Sequence, residues 1–142
     1  MNIIKLTQPK GTNLCGQTIV AMLGNMSIQK AIKIMGKSGC TRTKDVIQAL
    51  RKLKFRVDSD KLLRIPKNWV KPKLCIIHIG FGNHWKKHWI LWNGYENCFY
   101  DPAFKLRKKE TFYNNDWTKI LSYLEIKEDI SQDTALYASL RR

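Results

Sequence analysis

Acidic residues are scarce. The chain has 142 residues and sets 26 Lys+Arg against 11 Asp+Glu, a formal net charge of +15. The imbalance is uneven: residues 1–109 hold 22 basic and 5 acidic side chains, residues 110–142 hold 4 and 6. A surface of this sign attracts anionic partners through its field, but carries no chemistry by itself. Nucleic acid is therefore a partner suggested by charge only. No phosphate-cradling glycine loop, RNA-binding aromatic motif or Cys/His finger accompanies it. Long apolar runs are also missing, and none approaches the ~20 residues of a membrane span. Lys5 interrupts the apolar start, so no signal-peptide core is present. The expectation is a cytoplasmic protein without a membrane span, or one exported by an unencoded route. Its 4 cysteines (Cys15, Cys40, Cys75 and Cys98) include no Cys-x-x-Cys pair, which excludes a zinc ribbon or a thioredoxin-like site. Without a secretory leader they read as reduced thiols.

Only 4 prolines and 8 glycines occur, and no linker, repeat or low-complexity tract is visible. This predicts one domain over 1–142, with a core of about 5–124 and a C-terminal appendage over 125–142. Hydrophobic residues make up 44%, enough for one core. Residues 12–24 predict a helix capped by Thr12 or Asn13, with Leu14, Ile19, Met22 and Leu23 inward and Gly24-Asn25 as the stop. Ser27 and Thr43 predict caps of two further helices, the first ending at Gly36. Phe55-Arg-Val predicts a short strand. A polar loop over 58–73 follows, with a helical turn near Lys61-Leu-Leu. Strands are predicted at Leu74–Ile79, His88–Trp92 and Cys98–Tyr100, with turns at Gly80–Asn83 and Asn93-Gly94. Asn115 or Asp116 is read as the cap of a last helix through Leu124. Helices first and antiparallel strands afterwards make an α+β domain.

Four residues fall where thiol chemistry needs them. Cys15 opens a helix, where free N–H groups and the helix dipole favour a thiolate. Gly16 follows and leaves room for a substrate backbone. His88 starts a strand and is read as the base, with His84 as rival. A hairpin closing around residues 94 and 95 would set Asp101 opposite His88, to hold the imidazole in one tautomer. Gln8 and the Cys15 N–H would form an oxyanion hole. Trp85 and Trp89 are candidates for a substrate-binding wall. His78 is read as a core or flank histidine, and Cys40, Cys75 and Cys98 as structural. His84 and His88 would present a metal face only on a helix, which the nearby glycines oppose, so neither metal nor cofactor is expected.

The stretches Gln8…Asn13-Leu-Cys-Gly-Gln, Thr41–Val57, His88–Tyr95 and Phe99–Ala103 resemble the papain-like cysteine peptidase superfamily. Within it the chain looks like the compact bacterial family 39 domains that cleave double-glycine leader peptides. The resemblance covers roughly residues 5–104. It implies a papain-like fold, with N-terminal helices packed on a small antiparallel sheet. It implies Cys15 as nucleophile, His88 as base, Asp101 as orienting carboxylate and Gln8 as oxyanion donor. The expected activity is thiol-dependent hydrolysis of a peptide or amide bond in a protein or peptide, acidic if charge guides it. The alternatives are a glutamine deamidase or toxin-type effector, and a basic binding module without turnover.

Overall fold

The computed structural model describes residues 3–82, 86–103, 105–107 and 118–128. Three helices come first: α1 (Cys15–Gly24), α2 (Ile28–Met35) and α3 (Thr43–Lys52). The strands follow as β1 (Phe55–Arg56), β2 (Leu63–Arg64), β3 (Leu74–Phe81), β4 (Lys86–Asn93), β5 (Cys98–Asp101), β6 (Lys105–Arg107), β7 (Thr118–Glu125) and β8 (Lys127–Glu128). All pairings are antiparallel. Six strands form one sheet in the order β2-β7-β3-β4-β5-β6, and β1 pairs with β8. The protein is α+β. Among the described residues no helix is long and apolar enough to cross a membrane.

Burial explains why these segments take these forms. Residues Gly16 to Leu23 of α1 are all buried, because α1 lies between α2, α3 and β4. A helix apolar on every side needs such a central place. Strand β3 is covered on both faces. Leu74 and Ile76 join the helix-side core with Ile19, Leu50 and Leu91. Cys75, Ile77 and Ile79 join Ile90, Trp92 and Phe99 on the other face. Each such aliphatic side chain contributes roughly 1.5–3 kcal/mol by leaving water. That double burial is why the run reads as continuously apolar.

Four expectations are corrected. The helix read through Leu124 is strand β7. Its pairing with β3 shifts register between His78 and Ile79, so Ser122 lies opposite His78 and Ile120 opposite Ile79. Leu121 is the extra residue of this bulge and is exposed. The inserted residue puts Ile120 and Tyr123 on one face and Leu124 on the other, which imitates helical spacing. The helical turn near Lys61 is the short strand β2, paired with β7 at Leu63↔Tyr123. Helix α1 begins at Cys15, and no side chain caps it. The Thr12 hydroxyl instead donates to Pro9 O at 2.6 Å. The Ser27 cap does form, accepting from Lys30 N–H, and Asn25 and Gly36 close their helices in left-handed conformation. Helix α3 starts at Thr43, but its cap is Arg42, whose N–H donates to Asp45 Oδ2 at 2.8 Å. The expected cap of a last helix at 115–116 and most of the expected appendage lie outside the described residues.

The β4–β5 hairpin turns through four residues, 94–97, and Asn93 pairs with Cys98. Gly94 N–H donates to Lys73 O at 2.7 Å, and a Cβ at Gly94 would sit 2.4 Å from that same oxygen. Backbone cannot yield as a side chain can. Gly94→Ala is expected to lower stability by about 2 kcal/mol. Gly39→Ala, where an added Cβ meets nothing within 4 Å, should change it little. Thermal unfolding of the two variants checks this, and equal midpoints would remove the steric argument.

Candidate active site

Helix α1 and the β4–β5 hairpin bring Cys15, His88 and Asp101 together. His88 Nε2 lies 2.8 Å from Asp101 Oδ1, with the imidazole 14% and the carboxylate 1% exposed. The same oxygen accepts from Ala103 N–H at 2.8 Å. The hairpin register differs from the one expected. Leu91 pairs with Tyr100, which carries Asp101 to the level of Ile90 rather than His88. His88 and Asp101 are diagonal neighbours on one side of the ladder, a separation long side chains still bridge.

Cys15 is within side-chain hydrogen-bonding reach of His88. Nε2 serves Asp101, so Nδ1 is the nitrogen left for sulfur. Burial alone would draw the His88 proton off. The hydrogen bonds to Asp101 and Cys15, with the charge of the Asp101 carboxylate, outweigh it and raise the pKa to about 9. His88 is thus an imidazolium at neutral pH.

Gln8 is held near this centre. Its N–H donates to Pro102 O at 2.8 Å, one residue beyond Asp101. Its side-chain Nε2 donates one hydrogen to Thr12 O at 2.7 Å and keeps a second. Gln8, Cys15, His88 and Trp89 line one open cavity of about 800 Å³. Trp89 also belongs to the helix-side core, and its ring packs on His78 at 5.3 Å. Gly16 plays a different part from the one expected. It is buried, and a Cβ there would lie 2.1 Å from Thr41 Oγ1. Its missing side chain admits the loop before α3. Trp85 and His84 lie outside the described residues.

That loop is the part sequence reasoning missed. Residues Cys40, Thr41 and Arg42 line the cavity. Gln17, fully buried on α1, donates to Lys37 O at 3.0 Å and Gly39 O at 2.7 Å. Lys37 Nζ donates to Asp45 Oδ2 at 2.9 Å. The Arg42 N–H bond, then Lys37, hold the Asp45 pKa down at about 2. A glutamine in the middle of an otherwise buried helix was the available signal. His78 also lines the cavity, half-buried on β3. Burial first, then the charges of Lys87 and His88, lower its pKa to about 4, so it is neutral. Cys75 and Cys98 are buried in strands, and burial pushes the Cys75 thiol up.

The chain matches no protein-family model and no curated protein.

Because the folded His88 pKa lies above the ordinary 6.5, its pairing stabilises the fold fully below pH 6.5, and that contribution is lost as pH rises through about 9. Imidazole NMR titration should give about 9 for His88 and about 4 for His78. Asp101→Asn should bring His88 to 6.5 or below. An unchanged His88 titration in that variant would sever the link.

Proposed function

We propose that the protein is a thiol hydrolase of papain-like type, in which Cys15 attacks a peptide or amide carbonyl. The observation that carries this reading is the chain of contacts from Cys15 through the His88 imidazole to the buried Asp101 carboxylate. The resemblance of Asn13-Leu-Cys-Gly-Gln, His88–Tyr95 and Phe99–Ala103 to double-glycine leader peptidases supports it independently.

The proposed reaction follows from the protonation state. The thiolate adds to the carbonyl carbon and the oxygen becomes anionic. The first turn of α1 offers N–H groups without intrahelical partners, and the Cys15 N–H is among them. The second hydrogen of Gln8 Nε2 is the other candidate donor. The His88 Nδ1 proton passes to the leaving nitrogen, the C–N bond breaks, and an acyl-enzyme remains. Neutral His88 then takes a proton from water, hydroxide adds to the thioester, and collapse restores thiolate and imidazolium. Asp101 keeps the ring in the tautomer that presents Nδ1 to both partners.

Incubating the wild type and Cys15→Ala with a proteome and reading products by mass spectrometry tests the reading. New peptide termini absent from the Cys15→Ala reaction indicate a peptidase. Conversion of glutamine to glutamate without new termini indicates a deamidase using the same thiolate. Neither change would leave a basic binding module, whose affinity for anionic polymers falls with salt and survives Cys15→Ala. With a substrate in hand, Cys15→Ala should reduce kcat/KM at least ~10³-fold and Asp101→Asn about 10²–10⁴-fold. Wild-type kcat/KM should fall as pH rises through about 9, where the imidazolium that protonates the leaving group is lost.

A further inference from the structure

The cavity around Cys15 has a charge pattern that the reaction itself does not need. Besides His88, its charged wall residues are Arg42 and Lys87, and no carboxylate lines it among the described residues. They come from different elements: Arg42 from the cap of α3, Lys87 from β4 immediately before His88. Arg42 is not the sole partner of its nearest acid. Asp45 sits 3.5 Å from Arg42 Nε but 2.9 Å from Lys37 Nζ, so one carboxylate serves two cations. Lys87 acts on the cavity electrostatically, since its charge helps keep His78 on the opposing strand unprotonated. His78 therefore adds no third cation, but gives the wall a neutral donor and acceptor. Asp101, the carboxylate at the reacting centre among the described residues, is 1% exposed and bonded to the imidazole.

We infer that the site takes an acidic peptide, with an Asp or Glu side chain next to the scissile amide seated between Arg42 and Lys87. This rests on the thiol-hydrolase reading and specifies its substrate class. The pairing has a physical reason to matter. An open cavity of about 800 Å³ gives shape little grip on an extended chain. A carboxylate between two cations supplies orientation through charge-assisted hydrogen bonds instead.

Cys15 itself can report the local field. In a Cys40→Ser background the remaining cysteines are Cys15 and the buried Cys75 and Cys98. Alkylation rates of Cys15 are measured with iodoacetamide, which is neutral, and with iodoacetate, which carries the carboxylate. N-acetylcysteine is the reference thiol. The expected iodoacetate-to-iodoacetamide ratio is several-fold above that of the reference at low salt and collapses at high salt. Lys87→Glu and Arg42→Glu should each reduce it on the order of threefold. Lys30→Glu, on the distant helix α2, controls for net charge and should leave it unchanged. Internally quenched peptides differing only in Glu, Gln or Lys beside the cleaved bond should follow the same order, Glu fastest. Slow reaction of Cys15 with iodoacetamide would sink the hydrolase reading itself. Fast reaction with a ratio equal to the reference would overturn the acidic-peptide inference alone. An equal drop in Lys30→Glu and Lys87→Glu would overturn it as well, by assigning the effect to the whole +15 field.

Discussion

A buried carboxylate is tolerated only when hydrogen bonds replace its lost water, and Asp101 is the residue in which that constraint is sharpest. Its Oδ1 takes the His88 Nε2 contact and the Ala103 N–H together. Both partners must stay where they are, or several kcal/mol of desolvation goes uncompensated. The end of β5 is therefore fixed to the start of β4. The next residue, Pro102, accepts from Gln8 N–H, which fixes the segment leading into α1. One buried charge thus ties the hairpin, the N-terminal segment and the helix start into a common geometry. The imidazolium at neutral pH is a consequence of the same arrangement.

The second wall of the cavity is held by a different device. Glycine at position 16 lets Thr41 approach α1, and Gln17 reaches two carbonyls of the loop before α3. Lys37 and Arg42 share Asp45 beyond it. A loop would ordinarily carry its own backbone polarity to solvent. Here buried Gln17 answers that polarity, so Cys40, Thr41 and Arg42 remain beside Cys15. The same glycine that looks like an opening for substrate works as a seat for this loop.

Legibility in the sequence followed the range of the forces involved. Helix stops at Asn25 and Gly36, the Ser27 cap and the run Leu74–Ile79 are set by near neighbours, and periodicity found them. Cys15 and Asp101 were readable because each sits at an element boundary, whereas His88 lies inside β4, two residues past the start of a strand expected to begin with it. Strand β7 was not, because its bulge opposite His78 and Ile79 depends on a strand some forty residues earlier in the chain. Its apolar spacing is correct for a kinked strand and for a helix alike. The hairpin register failed for a similar reason. Asn93-Gly94 suggests a tight two-residue turn, but Gly94 is committed to Lys73 O, and the chain turns later. The missed loop contacts of Gln17 join residues 20 and 22 positions apart, where no local pattern operates.

The cysteines lie in two kinds of surroundings. Cys75 and Cys98 lie in strands with apolar neighbours, and burial makes the Cys75 thiolate costly. Cys15 shares its helix-side core contacts but ends at a cavity against a protonated ring. Burial acts on His88 as well, and there it loses to the hydrogen bonds and charges of Asp101 and Cys15. A histidine thirteen residues from its carboxylate is then cationic at a depth where His78, packed on Trp89 and facing the positive charges of Lys87 and His88, stays neutral. Position in the sheet does not decide the difference; the carboxylate does.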